Sequence, residues 1–272
     1  MLQCLSLAYG GHGRRALVFE PTYQMHSRIA RVAQTSVVSV PRRDDFTVDI
    51  DRMVANIERY DPRLIFLCSP NNPTGIVEPR AVIETALRLS SGLVILDAAY
   101  SEFASAPTNW LDDLDSKYRE RLVVVRTFSK VWAMASLRIG FMVAHPEVVD
   151  ACSMVALPYN LDGIAQELGL IALRHVDELQ KRVETIVHER ERVFNAMRRW
   201  NIELWPSEAN FILFRPLNIA PGKFMDAMVT MSILVRDFSR QPLLEGCFRV
   251  TIGTVEENDR FLEALAEIVE VA

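Results

Sequence analysis

Three short segments of the 272-residue chain hold the side chains best suited to chemistry. In SPNNPTG (69–75), two prolines and a glycine force a tight turn, and two asparagines supply amide donors. The turn directly follows the apolar run LIFLC (64–68), so it sits at the C-terminal end of an expected buried strand, where open parallel sheets bind ligands. A well-made strand–helix turn accounts for the same residues equally well. In LVILDAAYSEF (93–103), Asp97 ends a strongly apolar run and Tyr100 follows three residues later. A carboxylate there is desolvated unless something cationic meets it; the simpler use is as N-cap of a following helix. In RTFSKVWAMASLRIGF (126–141), the hydroxyls of Thr127 and Ser129 flank Lys130, with Arg138 eight residues on. Two hydroxyls, an ammonium and a guanidinium suit a phosphate monoester. No GxxxxGK[ST] loop is present, which argues against a nucleotide site. Apolar neighbours on both sides weaken the alternative of a solvated surface loop.

The elements that must position these groups alternate in type. Apolar runs at 16–20, 36–40, 64–68, 93–97, 122–126 and 139–144 lack polar alternation, as strands covered on both faces require. Helical patterns at 22–34, 49–60 and 79–90 separate the earlier runs. Strand–helix alternation of this kind predicts a mostly parallel sheet flanked by helices, a three-layer α/β architecture. Between 161 and 200, Leu179, Val183, Ile186, Val187, Val193, Phe194, Met197 and Trp200 fall at helical spacing, predicting one long amphipathic helix. Short strands near 210–215, 233–236 and 248–253, with helices near 222–230 and 256–270, predict a smaller α+β domain hinged on it. The expected domains are 1–175 and 176–272.

Half the residues are apolar and the net charge is −5, so there is no basic field for nucleic acid. Cys4, Cys68, Cys152 and Cys247 are scattered without metal spacing and read as reduced thiols of a cytoplasmic protein. The five histidines are dispersed, so no structural zinc site is expected. No apolar run reaches membrane-spanning length, and the N-terminus does not resemble a secretory signal.

Taken in order, NNPTG, Asp-x-x-Tyr at a strand end, and Ser-Lys with Arg eight residues on resemble the signature of the aspartate-aminotransferase-like fold. Within it the chain most resembles the histidinol-phosphate aminotransferase family, through FEPTYQMH (19–26), PYNL (158–161), ANFILFR (209–215), LVRDFS (234–239) and FRVTIGT (248–254). The resemblance implies an enzyme of histidine biosynthesis that binds pyridoxal 5'-phosphate and transfers an amino group between histidinol phosphate and 2-oxoglutarate. It implies that Lys130 holds the cofactor as a Schiff base and moves the substrate proton, and that Asp97 pairs with the pyridine nitrogen. Tyr100 and Asn72 would bond the ring oxygen, Tyr23 would stack on the ring, and Thr127, Ser129 and Arg138 would hold its phosphate. Arg249 would take the substrate's anionic end, and Asn72 would also line the substrate site. For Arg236, reinforcement of Arg249 and a salt bridge to Asp237 or another carboxylate are equally favoured.

A homodimer with its active sites at the subunit boundary is also implied. The family pattern extends further at the N-terminus, which predicts a truncated large domain; Ala98 and Ser136 stand where the family often has Glu and Gly. Two competing expectations remain: a sister enzyme (an aromatic aminotransferase or a threonine-phosphate decarboxylase), or an inactive fragment that acts only by subunit association.

Overall fold

The computed structural model describes residues 1–105 and 116–271. The first half runs α1 (Leu2–Tyr9), β1 (Arg15–Glu20), α2 (Met25–Val32), β2 (Ser36–Pro41), α3 (Ile50–Tyr60), β3 (Leu64–Cys68), α4 (Arg80–Leu89), β4 (Leu93–Asp97), α5 (Ser116–Arg119), β5 (Leu122–Thr127), β6 (Gly140–Val143) and α6 (Pro146–Val155). Its six strands form one sheet in the order β2-β1-β3-β4-β5-β6. All neighbours are parallel except β5 and β6. Every residue of β3 and β4 is buried, because helices cover both faces. Alternate strand residues point to opposite layers. Leu17, Ile65, Leu67, Val94 and Leu96 pack on Met53, Ile57, Ile83 and Leu87 of α3 and α4. Ala16, Val18, Leu64, Phe66 and Ile95 pack with Leu5, Ala30, Val148 and Cys152 of α1, α2 and α6. Helix α3 starts where Asp49 accepts the Arg52 N–H at 3.1 Å.

The chain leaves β1 for β2 on one side and later returns to β3 on the other. That reversal opens a crevice at the carboxyl ends of β1 and β3, as doubly wound sheets do. Cys68 and Asp97, the last residues of β3 and β4, lie in register there.

The second half runs α7 (Gly163–Ala172), α8 (Val176–Met197), β7 (Ile202–Leu204), β8 (Phe211–Pro216), α9 (Pro221–Thr230), β9 (Arg236–Asp237), β10 (Phe248–Thr251) and α10 (Val255–Val271). Its sheet is antiparallel, in the order β7-β8-β10-β9. One face packs Phe214, Phe248, Ile212 and Val250 on α8, α9 and α10. The other face docks toward the first sheet, with Phe211 against Tyr100, Phe103 and Val131, and Leu213 beside Trp205 and Phe46. Helix α8 touches both regions: Leu179 and Val183 pack near Tyr100, while Val193 and Met197 enter the second core.

Three expectations need correction. The runs at 36–40 and 139–144 form the two edge strands, β2 and β6, and leave residues exposed instead of being covered on both faces. The single helix over 161–200 is two helices, broken at 173–175, and Trp200 lies past the end of α8. Asp177 and Glu178 explain the restart, since carboxylates in a first turn meet the exposed N–H groups. The strand near 233–236 shrinks to Arg236–Asp237, because only those residues pair with β10.

Candidate active site

The crevice holds a cavity of about 790 Å³, and all ten residues singled out in the sequence line it: Tyr23, Asn72, Asp97, Tyr100, Thr127, Ser129, Lys130, Arg138, Arg236 and Arg249. Four strand ends (β1, β3, β4 and β5) and their following turns bring the first eight together; the second sheet supplies the last two.

Asp97 is buried at the end of β4. Its Oδ1 accepts the Ala99 N–H at 3.2 Å, so it does cap the following turn. Its Oδ2 lies 3.0 Å from Nε2 of His26, which is fully buried. A carboxylate only accepts, so this Nε2 carries a proton. The His26 ring stacks on Phe66 with centroids 5.1 Å apart, which fixes its plane. Tyr23 meets the same ring edge-on at 5.5 Å and keeps one side toward the cavity.

The SPNNPTG turn divides its two asparagines between different tasks. Asn71 is structural: its Oδ1 accepts from Thr22 Oγ1 at 2.6 Å, and its Nδ2 donates to Pro21 O and Thr74 Oγ1. Asn72 faces the cavity, where its Oδ1 accepts from Arg249 Nη1 at 2.6 Å. Gly75 has φ of +78°, and a Cβ there would collide with Ser207, so this glycine permits the second region to dock on the turn. Behind it, Arg42 Nη1 and Glu78 Oε1 form a buried ion pair at 2.5 Å. Burial pushes the Glu78 carboxyl up, and Arg42 pulls it back.

At the end of β5, Thr127 Oγ1 donates to Ser129 Oγ at 2.9 Å and accepts the Ser129 N–H at 3.0 Å. Arg138 sits in the left-handed region with φ of 56°, and its Nη1 donates to Ala135 O at 2.8 Å. A left-handed arginine costs roughly 1–2 kcal/mol, and strain of this kind concentrates at functional sites. Lys130 Nζ lies 5.4 Å from the centre of the Tyr100 ring. Burial lowers the Lys130 pKa below the ordinary lysine value; Arg249 and Arg138 add to the effect and Asp97 opposes it. Burial also pushes the Tyr100 phenol well above its ordinary value.

Arg249 stacks on Phe211 at 4.6 Å and on Phe238 at 5.7 Å, and burial lowers its pKa. Arg236 lies opposite Arg249 in the β9–β10 register. It makes no ion pair with Asp237, whose Oδ1 accepts the Ser239 N–H instead. Its guanidinium is exposed and rests near the Phe238 ring at 5.9 Å. Two arginines directly opposite each other repel, so this pair calls for an anion.

Several cavity residues had no role assigned from sequence. His26 stands inside the FEPTYQMH motif, yet its partner Asp97 is 71 residues away, so no local spacing exposes the pairing. Arg126 lines the cavity and is bound to Glu102 at 2.6 Å, tying the turn after β4 to the end of β5. Gln24 and Arg28 line the wall made by α2. Their only sequence signal is helical spacing after Tyr23.

The sequence profile of aminotransferase class I and II matches residues 1–265. The histidinol-phosphate aminotransferase of Thermobifida fusca is 41% identical over 271 residues, covering 97% of this chain and 71% of that protein. That of Corynebacterium efficiens is 40% identical over 274 residues, covering 98% and 70%. The solved histidinol-phosphate aminotransferase of Sinorhizobium meliloti, in complex with pyridoxal-5'-phosphate, superposes with a TM-score of 0.89 at 24% identity, over 99% of this chain and 74% of that one. With its fold, its cavity and these similarities agreeing, the chain belongs to the class I and II aminotransferases.

Proposed function

We propose that the chain is a pyridoxal-phosphate-dependent aminotransferase acting on histidinol phosphate, with 2-oxoglutarate as amino acceptor. One observation carries this reading: a desolvated amine (Lys130), a buried carboxylate (Asp97) and a hydroxyl–guanidinium cluster (Thr127, Ser129, Arg138) face one cavity. That donor set fits the cofactor. The hydroxyls and Arg138 suit a phosphate monoester, the buried carboxylate suits a protonated pyridine nitrogen, and the amine suits covalent attachment to an aldehyde. When bound, the cofactor supplies an electron sink for a bond broken at the substrate α-carbon.

The chain's own residues do the rest. Asp97 keeps a proton on the pyridine nitrogen, and His26 holds the Asp97 carboxylate in place by donating to Oδ2. Lys130 anchors the cofactor, and in its free form takes a proton from the α-carbon. Its lowered pKa suits that task, because an ordinary lysine near 10.4 stays protonated at neutral pH. Tyr23 would stack on the ring, Tyr100 and Asn72 would bond its oxygen, and Asn72 also orients Arg249. Arg249 and Arg236 bind the anionic end of the substrate. A phosphate or second carboxylate there relieves the repulsion between the two guanidiniums.

A cytoplasmic homodimer is part of the same proposal. Among the described residues, no helix is long and apolar enough to cross a membrane. Met154, Leu157, Ile164 and Leu170 expose apolar surface around α6 and α7, the kind of patch that subunits cover. Initial rates with 2-oxoglutarate for histidinol phosphate, phenylalanine and threonine phosphate test the substrate. Histidinol phosphate is expected to give the highest kcat/KM. A preference for phenylalanine, or carbon dioxide release from threonine phosphate, would replace it with the sister activity.

A further inference from the structure

The cavity is walled on one side by α2 and on the other by the turn that follows β9. Gln24 Nε2 donates to Gln241 Oε1 at 2.8 Å, joining residues 217 apart in sequence. Gln24 occupies the N-cap position of α2, yet its side chain makes no capping bond. It reaches from the cavity wall to the turn after β9 instead. Its Oε1 takes a weak 3.5 Å contact from Arg28, a pure donor, and so Nε2 is the atom left for Gln241.

The turn after β9 is tied together by its own backbone hydrogen bonds. Gln241 N–H donates to Phe238 O at 2.8 Å, Leu244 N–H to Gln241 O at 3.0 Å, and Gly246 N–H to Ser239 O at 3.1 Å. Phe238 N–H in turn donates to Cys247 O at 3.0 Å. Gln241 is thereby linked to Phe238, whose ring lies near the guanidiniums of Arg236 and Arg249. Strand β9, which bears Arg236, is only two residues long and offers little resistance of its own. Arg236 is the least restrained of the cavity arginines, so its position depends on whatever holds this turn.

We propose that Gln24 and Gln241 form a latch across the mouth of the cavity, a pair of positioning residues that sets how tightly the anionic end of the substrate is held. The latch rests on the reading that Arg236 and Arg249 receive that anion. Both amides are neutral and half-buried, so the bond is worth about a fivefold factor in binding. That is strong enough to bias the wall toward closure and weak enough to open in each turnover.

The test is a double-mutant cycle on the cofactor-loaded protein: Gln24→Ala, Gln241→Ala and the double variant, with kcat and KM for histidinol phosphate. Each single change is expected to raise KM about fivefold. The double variant should be no worse than the worse single one, with kcat within about twofold of the parent throughout. Gln24→Asn, which keeps the amide but loses its reach, should match Gln24→Ala and serves in its place if that variant does not fold. Multiplying KM effects in the double variant, unchanged KM, or loss of kcat alone would each overturn the latch. If the unaltered protein turns over no histidinol phosphate, the substrate reading fails separately. Hydrogen exchange then reads the latch by itself: residues 238–247 should exchange faster in Gln24→Ala, and unchanged exchange there would refute it.

Discussion

The two sheets contribute to the cavity in opposite ways. The carboxyl edge of the parallel sheet presents groups held by two bonds each: Asp97 by His26 and the Ala99 N–H, and Ser129 by two bonds to Thr127. The antiparallel sheet presents two guanidiniums with few ties. Arg249 has one hydrogen bond, to Asn72, and ring contacts; Arg236 has a ring contact alone among the described residues. A prebuilt edge suits a cofactor that stays. A loosely held pair suits a substrate that arrives and leaves. Under the proposed function, the difference would place bond-making chemistry on the first sheet and substrate choice on the second.

Substitutions can break that comparison. Asp97→Ala should cause the largest loss, about 10²–10⁴-fold in kcat, the scale of a positioned acid–base group. His26→Ala should cost less, because the Ala99 N–H still holds the carboxylate. Single-turnover rates measure both, and a larger defect for His26→Ala would mean that the histidine, not the aspartate, is the working group. On the second sheet, Arg249→Ala should cost about 1.5–3 kcal/mol in kcat/KM, as removal of a charged hydrogen bond does. Arg236→Ala should cost about 1 kcal/mol or less, since its guanidinium is exposed. Steady-state kinetics with a phosphorylated and an unphosphorylated amine would sharpen the contrast: both losses should be larger for the phosphorylated one.

The smallest expected effect concerns pH. The folded chain lowers the Lys130 pKa, so the cofactor-free fold binds that proton less readily than the unfolded chain does. Stability attributable to this group therefore rises with pH through the window below about 10.4. Melting of cofactor-free Lys130→Met should show a relative stabilisation at pH 7 that fades toward pH 10. A constant difference would show that desolvation of the amine is not its source.

Much of the first sheet was legible because each strand is a continuous apolar run. LIFLC and LVILD match β3 and β4 residue for residue, since both faces are covered and no polar residue interrupts them. The cavity residues were legible for a related reason: Asp97 ends such a run, and Asn72 and Lys130 stand a few residues past one, at the edge where the topology brings the strand ends together. The break at 173–175 was hidden because no glycine or proline marks it. The contraction of the 233–236 strand to β9 was hidden because its length depends on how far β10 pairs with it. His26 and Gln24 were hidden for a third reason. Their partners, Asp97 and Gln241, lie 71 and 217 residues away, and a long-range pair leaves no periodicity.

The central claim is that Lys130 is the residue that holds the cofactor. The most direct measurement is to add pyridoxal phosphate to the purified chain, record its visible absorption before and after borohydride reduction, and map the reduced label by peptide analysis. The expected result is a visible band that reduction removes, with the label on Lys130 and none in Lys130→Met. A folded protein that shows no band, or a label on any other lysine, would contradict it.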